Sequence, residues 1–478
     1  MRDKKISHTA RLCLRLWNTI LFALVWYFRY NDFVFDHYKI SGLIMSVIIY
    51  YIVYNFICSV YKAFRFASTS VWELVFSQFV SFGLADLVLY VECCLIHNQY
   101  ADIVPGVITV VWQLLGSILI VNVTKRYLIR HLKPRKTILI VGKEAKRGSR
   151  KRFEQELRKF YPHMFDIISV EDENISQEEM RKKVTSCESV IMYGMTPDNR
   201  RRCIMHCVEL DRDFLFTPRV EDIVLQGCSY RHLLDTPLMR YDINYRNFGQ
   251  QFVKRLCDVV FSLLLIIISS PFMLLVAIAI KLEDGGPVLF RQKRCTKDEK
   301  VFEIIKFRSM VVDAEKRGVV PFAKNDPRVT KVGSFIRKTR LDELPQLFNI
   351  LSGDMSFVGP RPERIEHVQM YMKEVPEFKY RMKVKGGLTG YAQVYGKYNT
   401  TAYDKLRLDL LYIENQSLIM DFKLLLLTVR TLFSAESTEG FDEEKSENMN
   451  RKAALQKKEN ENEKSTHAGH NGSDDRTV

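Results

Sequence analysis

Asp342 and Glu343 stand side by side in the stretch Arg337-Lys-Thr-Arg-Leu-Asp-Glu-Leu-Pro-Gln346, with Arg337, Lys338 and Arg340 just upstream. Further cations lie in two short motifs, Lys306-Phe-Arg308 and Gly359-Pro-Arg361-Pro362. Adjacent carboxylates among cations suit chemistry at phosphorus. Cations neutralise phosphate oxygens so that an anionic nucleophile can approach, and a carboxylate can itself be that nucleophile. A carboxylate with bridging phosphate oxygens would also hold Mg²⁺, which keeps waters and needs few protein ligands. A purely structural role is the alternative. Residues 346–351 read as a short helix ended by Gly353, with Pro345 in its first turn, and acids beside such a start favour its dipole.

The elements that must position these residues fall into unlike regions of a 478-residue chain, long enough for more than one domain. The net charge of +15 fits an anionic partner such as nucleic acid, acidic lipid or a phosphorylated substrate. Four apolar stretches, at 12–29, 40–61, 71–96 and 103–123, approach the ~20 residues a helix needs to cross hydrocarbon. They form a first region over 1–125. Lys4, Lys5, Lys62, Arg65 and the run Lys125 to Lys136 are basic, whereas the 97–102 loop holds no Lys or Arg. The N-terminus and the later domains are therefore expected on the cytoplasmic side. Asp86, Glu92 and Arg15 inside the spans are weak grounds for a transporter.

Short β-like runs at 136–142, 165–170, 189–194 and 214–218 alternate with charged helical stretches. That rhythm predicts a Rossmann-like α/β module over 136–220. Gly142 is not followed by the closely spaced glycines a dinucleotide needs, so a structural or regulatory module is the better reading. Cys203, His206 and Cys207 offer too few ligands for a metal and read as helix packing. The ten cysteines show no disulfide framework. Residues 221–250 read as a connector. A second apolar run over 255–282 is interrupted by Ser269-Ser270-Pro271, where Pro removes a helical hydrogen bond and the serine hydroxyls can cover the freed groups. Basic residues at both ends favour a re-entrant helix over a full span. Residues 434–478 have the polar composition of a disordered tail.

The stretch 251–433 carries Lys254-Arg255-x-x-Asp258, Ser270-Pro271, Gly286-Pro-Val-Leu-Phe-Arg-Gln292, Lys306-Phe-Arg-Ser-Met310 and Asp326-Pro-Arg-Val-Thr. After these come Leu341-Asp-Glu-Leu-Pro-Gln346, Gly353-Asp-Met-Ser-Phe-Val-Gly-Pro-Arg-Pro362 and Gly387-Leu-Thr-Gly390. With these motifs in this order it resembles the bacterial sugar transferase family, the polyprenyl-phosphate phosphoglycosyl transferases. The resemblance implies a membrane protein of α plus α/β class. Its parts would be a four-helix transmembrane bundle, the α/β module and a catalytic domain on a re-entrant broken helix with amphipathic interfacial helices at 403–412 and 422–433. The first of these stretches could equally pack on its own core.

The resemblance further implies transfer of a sugar-1-phosphate from a UDP-sugar to undecaprenyl phosphate, releasing UMP, at the start of a surface-glycan pathway. Asp342 would be the nucleophile, Glu343 and Asp421 would hold Mg²⁺, and Lys306, Arg308, Arg337 and Arg361 would bind phosphate oxygens. The partners would be inner-membrane lipid and a second copy of the chain in a homodimer, with no nucleic acid; the site would face the cytoplasm of a bacterial cell. A catalytically silent scaffold of a glycan-export complex is the alternative. Cys295, Gly386, Tyr391 and Gln416 depart from the family pattern and bear on sugar preference and membrane seating.

Overall fold

Four long helices open the chain, each satisfying its backbone groups internally as an apolar setting requires. In a computed structural model, residues 2–30, 39–66, 69–131, 133–145, 149–241, 248–312, 326–396 and 400–432 are described. The tail expected at 434–478 lies outside them. The chain divides into two compact units, Met1–Thr217 and Pro218–Val478.

The first unit opens with α1 (Arg2–Val25), continued by a π turn over Trp26–Tyr30, then α2 (Lys39–Val60), α3 (Val71–His97) and α4 (Val104–His131). Among the described residues, Ile40–Val60, Val71–Ile96 and Val104–His131 are long and apolar enough to cross a bilayer, as is Gly249–Asp284 in the second unit. Four such helices mark a membrane-associated chain. α1 is the least apolar of the bundle, because Arg11 and Arg15 follow the lysines of its first turns. Buried aromatic residues fill the bundle, with Phe22 stacked on Tyr50 at 4.1 Å. Polar bonds join its helices: Asn18 donates to the Tyr54 hydroxyl at 3.0 Å, and that hydroxyl donates to Gln78 at 2.7 Å. Ile44, Ile48, Ile52, Val107, Leu115 and Leu119 face outward, as lipid contact requires.

Four strands follow, β1 (Arg135–Val141), β2 (Phe165–Asp172), β3 (Ser189–Tyr193) and β4 (Asp213–Phe216), all parallel in the order β2-β1-β3-β4. The intervening helices are α5 (Ser149–Phe160), α6 (Gln177–Ser186) and α7 (Pro197–Glu209). The strands lie within a few residues of the β-like runs in the sequence. Cys203 and Cys207 are buried in the module's core beside Cys187. Where a nucleotide phosphate would seek backbone amides, Glu173 already sits. Its carboxylate accepts from Lys143 N at 2.8 Å, Thr196 N at 2.7 Å and the Thr196 hydroxyl at 2.9 Å.

The second unit begins at Pro218, three residues ahead of the expected connector, which is more ordered than its weak periodicity suggests. A two-turn helix, α8 (Val220–Gln226), buries Val220 and Ile223 in the unit's main core. Seven residues are too few to display a helical period in sequence. A hairpin of β5 (Ser229–Leu233) and β6 (Thr236–Arg240) follows, exposed along its length.

Then comes α9 (Phe248–Asp284), 37 residues of uninterrupted helix through Pro271. Pro271 has no N–H for the Ile267 carbonyl. The Ser270 hydroxyl donates to that carbonyl at 2.8 Å, and Ser269 donates to Leu265 O at 2.6 Å, so the helix continues through the position where a break is expected from sequence. Beyond α9 lie the antiparallel pair β7 (Leu289–Cys295) and β8 (Val301–Phe307), α10 (Lys331–Lys338), α11 (Gln346–Ser352) and β9 (Met355–Val358). The unit ends with α12 (Ile365–Glu374), β10 (Gly386–Thr389), α13 (Tyr391–Tyr395), α14 (Ala402–Glu414) and α15 (Leu418–Leu432).

The interfacial reading of 403–412 yields to packing. Leu406, Leu410, Tyr412 and Ile413 of α14 are buried in the main core. α15 differs: Leu424 and Leu427 are buried, but Leu418, Ile419 and Phe422 stay exposed.

Candidate functional site

β8 alternates buried Phe302 and Ile304 with outward residues, and its last turn of pleat brings Lys306 to the acid pair. α10 starts at Thr330, whose hydroxyl accepts from Gly333 N at 2.9 Å, and ends before Arg340. Arg340 takes a left-handed conformation at φ 60°, which turns the chain into a single 3-10 turn over Leu341–Glu343. Asp342 and Glu343 therefore stand on a tight turn ahead of α11. Neither caps that helix, since no side-chain hydrogen bond caps its N-terminus. The capping alternative is set aside by this geometry.

α11 is itself held from both sides. Asn349 donates to Glu303 O at 2.8 Å and accepts from Ile305 N at 2.9 Å, pairing with the open edge of β8. Arg255 donates to the carbonyls of Ile350 and Leu351 at 2.7 and 2.8 Å, satisfying the helix C-terminus. Three residues on from Arg255, Asp258 accepts from Phe357 N at 3.1 Å and from the Ser356 hydroxyl at 3.2 Å. One face of the membrane helix thus fixes both α11 and β9.

Arg361 reaches the pair from the loop after β9. That loop lies against the strand β10 so closely that Gly359 N donates to Thr389 O at 2.9 Å and Gly387 N to Pro360 O at 3.0 Å. A Cβ on Gly387 would come within 2.1 Å of Gly359 N, so only glycine permits this approach. Arg361 donates to Glu343 Oε1 at 2.8 Å, and Lys306 donates to the same oxygen at 3.0 Å.

The two acids are thereby made unlike. Burial would raise the Glu343 carboxyl, but Arg361 and Lys306 outweigh it and hold it well below the ordinary carboxylate range. Burial, and then the charge of Glu343, push Asp342 upward, against the pull of Lys306, Arg337 and Arg340. Burial lowers Lys306, with Glu343 opposing the shift. Among the described residues Asp342 makes no hydrogen bond or ion pair. A half-buried carboxylate of raised basicity, with cations around it and none bonded to it among the described residues, is equipped to attack an electrophile beside anionic oxygens.

Of the residues singled out in sequence, Asp342, Glu343, Lys306 and Arg361 are brought together, and Arg337 lies near enough to influence Asp342. Two are placed elsewhere. Arg308, just past the end of β8, is buried against Asp284 at the end of α9 rather than turned to the acid pair. Asp421 has both oxygens engaged, by Lys254 at 2.5 Å and the Tyr412 hydroxyl at 2.7 Å, and this ties α15 to α9. A metal role for Asp421 does not fit that bonding.

The sequence reading missed the support behind Arg361. Arg381 donates to Arg361 O at 2.9 Å and to Asp409 at 2.8 Å, both side chains almost wholly buried. Lys405 pairs with Glu363 at 2.7 Å beside them. The only signal was a set of charges in otherwise apolar helix faces, with partners too distant in sequence to be matched.

Residues 249–435 match the model of the family described as bacterial sugar transferase. The chain is 44% identical over 186 residues to a UDP-N-acetylgalactosamine-undecaprenyl-phosphate N-acetylgalactosaminephosphotransferase of Aeromonas hydrophila, covering 38% of this chain and 44% of that protein. It is 42% identical over 216 residues to a UDP-glucose:undecaprenyl-phosphate glucose-1-phosphate transferase of Klebsiella pneumoniae, covering 44% of each. The matched stretches thus span under half the length of these two relatives. An exopolysaccharide production protein PSS of Rhizobium leguminosarum bv. phaseoli is 41% identical over 186 residues, which cover 37% of this chain and 93% of that protein. The chain belongs to the bacterial sugar transferase family.

Proposed function

We propose that the chain transfers a sugar-1-phosphate from a UDP-sugar to undecaprenyl phosphate, releasing UMP, in the synthesis of a surface polysaccharide. The observation that carries this reading is the Asp342 carboxylate, free of any hydrogen bond or ion pair among the described residues, beside Glu343, Lys306 and Arg361. An oxygen of Asp342 attacks the phosphorus nearest the sugar. The bond from that phosphorus to the bridging oxygen breaks, and the oxygen leaves with UMP. A phosphate oxygen of undecaprenyl phosphate then attacks the same phosphorus, the bond to Asp342 breaks, and the carboxylate is restored.

Lys306, Arg337 and Arg361 are suited to neutralise the phosphate oxygens during both displacements. The site fits Mg²⁺: Glu343 uses one oxygen for its cations, and Asp342 is open beside it, so substrate phosphates could complete an oxygen shell. Bound there, the ion would supply charge neutralisation for the pyrophosphate.

In this proposal α9 takes a re-entrant seat with the site at the cytoplasmic face of the inner membrane, and the serine hydroxyls at Pro271 make a bend there tolerable in lipid. A cysteine replacing exposed Lys297 is expected to react with an impermeant reagent only from the cytoplasmic side; labelling from outside would overturn that topology. Self-pairing into a homodimer belongs to the same proposal and is read from the mass of the protein in detergent.

The deciding experiment is UMP release by the purified chain with Mg²⁺, undecaprenyl phosphate and UDP-glucose, UDP-galactose, UDP-N-acetylglucosamine or UDP-N-acetylgalactosamine, beside Asp342→Asn. Release with one donor, lost in the variant, supports the reading. Silence with all donors in folded protein would favour a scaffold.

A further inference from the structure

The last turn of α9 carries Glu283 and Asp284, negative charges where the helix dipole disfavours them. Such residues serve partners outside their own helix. Glu283 Oε1 accepts from Lys331 N at 2.7 Å and Val332 N at 3.2 Å, so the membrane helix satisfies the first two amides of α10 while Thr330 caps the third. Asp284 pairs with the buried Arg308 and also accepts from Gly286 N at 3.2 Å. A Cβ on Gly286 would fall 2.3 Å from Arg308 Nη1, so the guanidinium packs flat on bare backbone. Arg308 N in turn donates to Val288 O at 2.9 Å.

Between the two polar links lies a small apolar core. Val276 and Ile280 of α9, beyond Pro271, are buried with Phe307 of β8 and Ile336 of α10. Leu341 and Leu344, which flank the acid pair, pack against the same cluster. The C-terminal third of the membrane helix is therefore joined to β8, which delivers Lys306, and to α10 and the turn that deliver Asp342 and Glu343.

We propose that Glu283, Asp284 and Arg308 are positioning residues that couple the seating of the membrane helix to the alignment of Asp342 with Lys306. This rests on the transferase reading above and adds residues that act through others rather than on substrate. A misplacement of about 1 Å from such a remote link can cost on the order of 10²-fold in rate while leaving binding intact. The joint lies on the Asp342 side of the site and sets the alignment of the nucleophile, while Arg361, held separately by the buried Arg381–Asp409 pair, keeps its hold on the donor. Turnover is therefore expected to fall more than donor affinity.

The test uses the full chain in lipid nanodiscs. Glu283→Ala and Asp284→Ala are each expected to lower kcat for UMP release at least tenfold, with KM for the UDP-sugar within about threefold of the parent. Glu283→Gln, which still accepts the α10 amides, is expected to recover most of the rate. Hydrogen exchange of the amides over 331–338 is expected to quicken in Glu283→Ala and stay slow in Glu283→Gln, a readout independent of turnover. Parental kcat together with parental exchange in both alanine variants would overturn the proposal. So would a rate loss matched by an equal loss of folded protein. A parent chain that releases no UMP, yet shows the exchange pattern, would leave the mechanical joint standing and remove the catalytic role assigned to it.

Discussion

Glu173 in the α/β module is a buried acid and the Asp342–Glu343 pair in the second unit is half-buried, each at the end of a short element, and their surroundings differ in kind. Glu173 is held by two backbone N–H groups and a hydroxyl, which overcome its burial and keep it below the ordinary carboxylate range. Its lone pairs are used inward, and it fills the place where an anionic ligand would bind. Glu343 is held by two side-chain cations, and among the described residues its neighbour Asp342 is left with no bonded partner. An acid satisfied by backbone closes a site. An acid satisfied by cations, beside one left open, keeps a site ready for a phosphate that can share those cations.

The sharpest way to break this contrast is Asp342→Asn. It is expected to cut UMP release by at least ~10³-fold while leaving thermal stability unchanged or slightly raised, because a desolvated charge is removed. Parental activity in this variant would refute the nucleophile.

Next in size is Arg361→Ala, which strands Glu343 as a buried charge short of a partner. Lys306 stays on the same oxygen and Arg361 is partly exposed, so the cost to stability is expected to be roughly 1–3 kcal/mol in denaturant unfolding. Adding Glu343→Gln should return much of the stability and none of the activity; strict additivity of the two changes would mean the pair is not coupled.

Glu173→Ala provides the opposite pattern. It leaves backbone donors unsatisfied and is expected to cost roughly 1–3 kcal/mol, with UMP release per folded molecule unaltered. A large loss of turnover would give the module a part in the reaction.

The smallest effect is in pH. Asp342 is raised, so its charged form is lost at a higher pH than a free Asp side chain, and the acid limb of kcat/KM is expected above about 3.9. Glu343 is depressed, so its contribution to stability is present above the unfolded carboxylate value and fades only as pH falls through its lower folded value. An acid limb below that of free Asp would contradict the unequal pair.

Much of this was legible in the chain because the signals are local. The apolar lengths mark the membrane helices, the alternation of β-like runs with charged helices marks the parallel sheet, and Ser270-Pro271 announces its own repair. The acid pair and its nearby cations were visible for the same reason, since residue types at short spacing are enough to suggest chemistry at phosphorus. What the sequence could not decide is which charges meet. Arg308 and Lys306 sit two residues apart, yet the strand β8 ends between them, so one turns to Glu343 and the other to Asp284. Asp421 looked like a metal ligand until Lys254, far away in sequence, was found on it. Arg381 with Asp409, and α14 as core rather than membrane surface, depend likewise on contacts between distant segments. Local pattern determines elements because backbone geometry repeats over a few residues. Pairing of side chains across elements is set by packing of the whole, and only the tertiary structure holds that.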